Sequence, residues 1–230
     1  MSIHDGHRQR LKKHFLEEGL DGFTQVQVLE MLLFYAIPRK DTNPLAHELI
    51  NRFGSLAQVL EAPVEALCQV DGITEHAATL IHFCKEVGRY YQVNRVSQCT
   101  VLPSVSDCAR YLLPFFFGRT VETAFLLCLD AKCKVLCCKE VGQGDVNSTA
   151  ISVRKIVETA LNANATSVVL AHNHPSGLAI PSSEDMQTTL RIAQGLRAVE
   201  ITLADHVIVA DDDYISFAMS GERFCNCLMG

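Results

Sequence analysis

The spacing of apolar residues changes character partway along the chain. In the first part it is helical. Val26-Gln27-Val28-Leu29-Glu30-Met31-Leu32-Leu33-Phe34-Tyr35 predicts a buried helix. It must stop before Pro38, whose ring disfavours helical geometry in the preceding residue. Leu45, Leu49, Ile50 and Phe53 then fall on one face of a second helix, with Asn43 placed to cap it, Pro44 in its first turn and Gly54 just past its end. Further helices are predicted over about 55–69 and 75–93, separated by the tight turn Val70-Asp71-Gly72-Ile73-Thr74.

Helical period is lost over residues 94–103, where a linker is placed. Beyond it helix and strand alternate. A helix at about 105–117 precedes the strand-like runs Thr123–Leu129 and Val135–Glu140, joined through Asp130-Ala131-Lys132. A helix at about 151–163 leads into Ser167-Val168-Val169-Leu170-Ala171, a short β-branched strand. A helix at about 183–197 and strands near 200–209 and 214–218 complete the pattern. This order predicts an all-α domain over 1–95, followed over 104–230 by an α/β domain with a mixed sheet flanked by helices.

Composition narrows the function classes. The 230 residues are 48% hydrophobic and 20% charged, with a net charge of -6, enough apolar material for a real core. Residues 1–99 hold 10 basic and 12 acidic side chains, and residues 100–230 hold 10 and 14. Neither half has the basic footprint of a dedicated nucleic-acid binder. The cluster His4, His7, Arg8, Arg10, Lys12, Lys13 and His14 reads as a solvated helix face. No apolar run reaches membrane-spanning length. The ten cysteines include residues buried in apolar runs, such as Cys128, and form no paired C-x-x-C knuckles. Cys225-Asn226-Cys227 reads as part of a plain tail. A reducing cytoplasm fits this usage.

The chemistry concentrates in Ala171-His172-Asn173-His174-Pro175-Ser176-Gly177, followed by Pro181-Ser182-Ser183-Glu184-Asp185. On a strand, residues i and i+2 share a face, so both imidazoles can point at one ion. The Pro/Gly loop then delivers Asp185 into the first turn of the next helix. Two imidazoles and a carboxylate make a three-ligand set with an open fourth position, where zinc lowers the pKa of water to about 7. The competing reading is local: Ser182 and Asp185 also match a capping box, and the histidines could be turn residues.

His172-x-His174-Pro175 with Ser182 and Asp185 resembles the JAMM motif of MPN-type metallopeptidases. The surrounding His172-Asn173-His174-Pro175-Ser176-Gly177 and Asp205-His206-Val207-Ile208-Val209 are similar to the RadC family in particular, and the likeness extends over nearly the whole chain. The resemblance implies an MPN-like domain, one Zn²⁺ per chain on His172, His174 and Asp185, and hydrolysis of a peptide or isopeptide bond in a protein substrate. It also implies a glutamate at the head of an upstream strand as general acid/base. Glu122 holds that place, with Glu140 the next candidate; Ser182 would hydrogen-bond the oxyanion. Zinc over another divalent ion follows from ligand type and resemblance. Asp205-His206 reads as a satisfied core pair or one that supports a metal-bound histidine.

A second reading comes from the helical part. Val70-Asp71-Gly72-Ile73-Thr74 resembles a helix–hairpin–helix element, which binds DNA phosphates through backbone N–H groups at a helix start. The RadC name is associated with DNA repair, and the zinc site would then be structural or regulatory. Thr74 replaces the usual second glycine, and Asp71 and Glu75 add negative charge. Salt-steep DNA affinity would mark this alternative.

Overall fold

The computed structural model describes residues 3–96, 101–144, 152–211 and 213–229. Residues 97–100 of the expected linker and residue 151 of the expected 151–163 helix lie outside these. The chain divides into two compact units, Met1–Gly88 and Arg89–Gly230, with the division falling inside a helix. Among the described residues no helix is long and apolar enough to cross a membrane.

The first unit contains helices α1 (Ile3–Glu18), α2 (Gln25–Ala36), α3 (Asn43–Phe53), α4 (Leu56–Glu61), α5 (Val64–Leu67) and the start of α6 (Glu75–Val96). Its core is built from Leu29, Leu33, Leu49, Val59, Leu67, Ala77 and Ile81. Helix α2 opens on a capping box between Thr24 and Gln27 and ends where Ile37, before Pro38, leaves helical geometry. Asn43 does not cap α3 as expected. Thr42 is the N-cap residue, without a side-chain cap, because the Asn43 amide instead donates to the buried Glu30 carboxylate at 3.0 Å. The basic N-terminal cluster is also partly internal. The Arg8 guanidinium donates to the carbonyls of Ile37, Pro38 and Lys40, satisfying the end of α2, and His7 meets Glu30 at 3.1 Å. In the hairpin before α6, Gly72 has φ +89°, which the turn requires. The Thr74 hydroxyl accepts the Ala77 N–H at 3.3 Å.

The second unit is a mixed sheet between two helical layers. Its strands are β1 (Thr123–Leu129), β2 (Val135–Gln143), β3 (Ser167–Asn173), β4 (Thr202–Ala210) and β5 (Asp213–Ser216), in spatial order β2-β1-β3-β4-β5. Only β3–β4 is parallel; the other neighbours are antiparallel. Helix α7 (Val105–Phe116) covers one face, packing Ala109, Leu112 and Phe116 on Phe125, Leu127, Val169 and Ala171. Helices α8 (Val153–Asn162) and α9 (Ser183–Arg197) cover the other, packing Ile156, Ala160, Ile192 and Leu196 on Leu126, Cys128, Val168 and Leu170. Successive residues of β1 and β3 therefore enter opposite cores, which explains why both strands read as unbroken apolar runs. The mixed, helix-flanked sheet is the MPN-like architecture expected.

Three elements exceed the sequence reading, and β2 does so by running on from Glu140 to Gln143, where it still pairs with Thr123 of β1. Strand β3 continues past Ala171 because His172 and Asn173 still pair with Ile208 and Val209 of β4. The expected C-terminal tail is a helix, α10 (Glu222–Met229), which packs against α9 and β4. Cys225 faces inward there, its thiol 3.2 Å from the Ala218 carbonyl.

Helices α8 and α9 approach closely at Gly195, where an added Cβ would lie 2.6 Å from Val153 Cγ1. Valine is stiff about χ1, so overpacking outweighs the better helix propensity of alanine. Gly195→Ala is expected to lose about 1–3 kcal/mol in urea unfolding, and the additional change Val153→Ala to recover part of it.

Candidate metal centre

The two histidines owe their position to strand parity. His172 follows Val168 and Leu170 on the face covered by α9, and the extended geometry persists because His174 N donates to the Val209 carbonyl at 2.8 Å. The imidazoles consequently converge, with His172 Nε2 2.9 Å from His174 Nε2. The loop turns at Gly177, whose N–H donates to the His174 carbonyl and whose φ is +78°. It then brings the Leu178 carbonyl to 3.1 Å from His174 Nδ1. A carbonyl only accepts, so Nδ1 of His174 carries a proton, which leaves Nε2 as the nitrogen that can face a metal.

Ser182 is the N-cap of α9, and the two readings of Asp185 are both satisfied. Asp185 N donates to Ser182 Oγ at 3.0 Å, while Asp185 Oδ2 accepts from Ser182 N at 2.8 Å and from Ser182 Oγ at 2.6 Å. The same carboxylate faces the histidines, with Oδ1 3.1 Å from His172 Nε2 and Oδ2 3.5 Å from His174 Nε2. Burial pushes the Asp185 carboxyl up, but hydrogen bonds from both imidazoles outweigh it and hold the group well below the usual carboxylate range. The Asp185 carboxylate raises His174 in turn, against burial.

These donors fit a metal ion. Ligand atoms of tetrahedral zinc, with bonds of about 2.0–2.1 Å, stand about 3.3 Å apart. The three edges here are 2.9, 3.1 and 3.5 Å. Two imidazole nitrogens that close, both facing a carboxylate, need a proton or a cation between them. Among the described residues, His172, His174 and Asp185 form the one group of this kind.

Sequence reasoning left open what Asp205 and His206 do, and the structure separates them. Asp205 faces the turn after β5, accepting from Ser216 Oγ at 2.6 Å and Ala218 N at 2.9 Å. His206 lies behind the candidate ligands. Its Nε2 is 2.8 Å from His172 Nδ1, and its Nδ1 is 2.6 Å from Thr189 Oγ1. Burial drives His206 well below its ordinary pKa, so the ring is neutral.

Glu122 stands just before β1 and lines a cavity of about 440 Å³ together with Thr120, Val121, His174, Pro175, Ser176 and Ser182. Glu140, the other candidate, does not line it. It pairs with Arg119 at 3.2 Å. The segment carrying Glu122 is pinned by Asn173, whose role the sequence reading missed. Asn173 Oδ1 accepts from Thr123 N at 2.8 Å, and its Nδ2 donates to the Val121 carbonyl at 3.3 Å. The available signal was alternation: the residue between two histidines on a strand must point to the opposite face. Gly144 N also holds the Glu122 carbonyl, at 3.1 Å.

Asn173→Ala strips the buried Thr123 N–H of its partner and leaves the Val121 carbonyl with the Thr123 hydroxyl alone. It is expected to cost about 1–3 kcal/mol in urea unfolding, while metal content measured by elemental mass spectrometry stays that of the wild type.

Residues 102–222 match the RadC-like JAB domain family. A UPF0758 protein of Fusobacterium nucleatum subsp. nucleatum is 33% identical over 223 residues, covering 94% of this chain and 96% of that protein. The family match takes in every strand of the sheet and the whole convergence of His172, His174 and Asp185, and the similarity to the Fusobacterium protein extends through the helical unit as well; the chain belongs to the RadC family.

Proposed function

We propose that this protein is a zinc-dependent hydrolase of peptide or isopeptide bonds. One observation carries the reading: Glu122 and Ser182 line the same cavity as His174, so a carboxylate, a hydroxyl and one member of the His172–His174–Asp185 group border a space large enough for a substrate backbone. Zinc held there supplies Lewis acidity toward a carbonyl oxygen and acidifies water at neutral pH. Glu122 takes the proton of the attacking water and later delivers it to the leaving amine.

Ser182 has two tasks in this scheme. Its backbone N–H and hydroxyl both donate to Asp185 Oδ2. The N–H alone keeps that oxygen in place, so the hydroxyl, while still accepting from Asp185 N, turns its proton toward an oxyanion in the cavity. The substrate is a protein or peptide, for which the cavity offers Val121 and Pro175 as apolar contacts.

The helical unit gives less support to a DNA-binding reading. A phosphate at the start of α6 would compete for the N–H that Thr74 Oγ1 already accepts, beside Glu75 in the first turn.

Purified protein is expected to hold about one zinc per chain by elemental mass spectrometry, the content implied by one three-ligand site. His172→Ala/His174→Ala should lose it, and Asp185→Asn should bind far more weakly in competition with a chelator. Zinc retained by the double variant would remove the ligand assignment.

Glu122→Gln should keep its zinc and lose turnover of a cleavable peptide substrate by about 10²–10⁴-fold. A variant that drops the metal, or that stays active, contradicts the proton-transfer role.

A further inference from the structure

Behind the ligand set, four groups form a continuous line of contacts: His172 Nδ1 to His206 Nε2 at 2.8 Å, His206 Nδ1 to Thr189 Oγ1 at 2.6 Å, and Thr189 Oγ1 to the Asp185 carbonyl at 2.6 Å. The line starts on one metal ligand and ends on the backbone of another. His172, His206 and Thr189 are all buried, with His206 and Thr189 at 0% exposure, so no bulk water substitutes for a missing partner.

We infer that Thr189 and His206 are positioning residues that set the tautomer of His172 for metal binding. The inference rests on the zinc reading above. The order of protons follows from one chemical fact, that the Asp185 carbonyl only accepts. Thr189 gives it the hydroxyl proton. Thr189 Oγ1 then accepts from His206 Nδ1–H. A neutral imidazole carries one N–H, so His206 Nε2 is a bare acceptor and takes the proton of His172 Nδ1. His172 Nε2 is left with its lone pair directed at His174 Nε2 and Asp185. Every donor and acceptor in this order is satisfied.

The reverse order takes the Thr189 proton away from the Asp185 carbonyl, and it blocks the site. Thr189 would donate to His206 Nδ1, His206 Nε2–H would donate to His172 Nδ1, and the remaining proton of His172 would sit on Nε2, facing Asp185 Oδ1 at 3.1 Å. The order that the Asp185 carbonyl imposes is therefore the one that leaves His172 Nε2 open to a metal. His174 needs no such relay, because the Leu178 carbonyl fixes its Nδ1–H directly. The arrangement is the second-layer support that metal-bound histidines generally require, here extended through a neutral histidine and a hydroxyl to a helix carbonyl. Thr189 lies one turn after Asp185 on α9, so the helix that supplies the carboxylate also terminates the chain.

Two measurements test this. In zinc-loaded wild-type protein labelled with ¹⁵N-histidine, long-range ¹H–¹⁵N correlation spectra should show His206 protonated on Nδ1 and bare on Nε2. The opposite tautomer overturns the inference while leaving the zinc reading intact; wild-type protein that takes up no zinc takes both down. In the second test, Thr189→Val leaves the His206 Nδ1–H facing a methyl in the loaded order, whereas the blocking order places only a lone pair there, the milder defect. Zinc affinity by chelator competition is expected to fall about 10–100-fold, with Thr189→Ser remaining close to wild type. Unchanged affinity in a folded Thr189→Val protein overturns the inference.

Discussion

The Asp185 carboxylate accepts from the first turn of α9 with one oxygen and turns the other toward His172 at the end of β3. A helix start and a strand end are thereby held by a single charged group. The helix N-terminus is favourable ground for an anion, and against its burial the carboxylate is kept ionised chiefly by hydrogen bonds from His172 and His174, with a further one from Ser182. A ligand that also caps its own helix cannot drift without unwinding that helix, so Asp185 and His172 are placed by secondary structure, while His174, one residue past β3, is held by the Val209 and Leu178 carbonyls.

The rest of the second unit supports that junction. Strand β3 sits between β1 and β4, with one face under α7 and the other under α8 and α9. Because it is buried on both sides, its register is strongly specified: a slip of one residue would exchange His172 and Asn173. In the observed register, His172 faces the α9 side, while Asn173 anchors the residues on either side of Glu122. Adjacent side chains of one strand thus organise the proposed metal ligands and the proposed general base from opposite faces of the sheet.

The helical unit has its own polar anchor. Glu30 is buried and receives His7 from α1 and Asn43 from the start of α3. Arg8 closes the exposed end of α2. Several residues that look like a basic surface in the sequence are therefore occupied in holding three helices together, and the start of α6 is closed by its own threonine.

Much of this was legible in the sequence because it depends on local rules. The change of hydrophobic period separated helical from mixed regions, and strand β1 was bounded correctly at Thr123 and Leu129. His172, His174 and Asp185 stood out because two-residue strand spacing and a helix cap are short-range constraints. What the sequence left open depends on contacts between segments remote in the chain. Asn43 was a good local cap, but a buried carboxylate thirteen residues earlier drew its amide away. Glu140 and Glu122 were indistinguishable in kind until Arg119 engaged one and the cavity included the other. The chain from His172 through His206 and Thr189 joins β3, β4 and α9, and no pattern within any one of those elements announces it. The sequence by itself determined which side chains can bind a metal, because that is a property of residue type and local periodicity; only the tertiary structure decided which buried neighbours orient them, because hydrogen-bond partners are chosen by the packing of elements against one another.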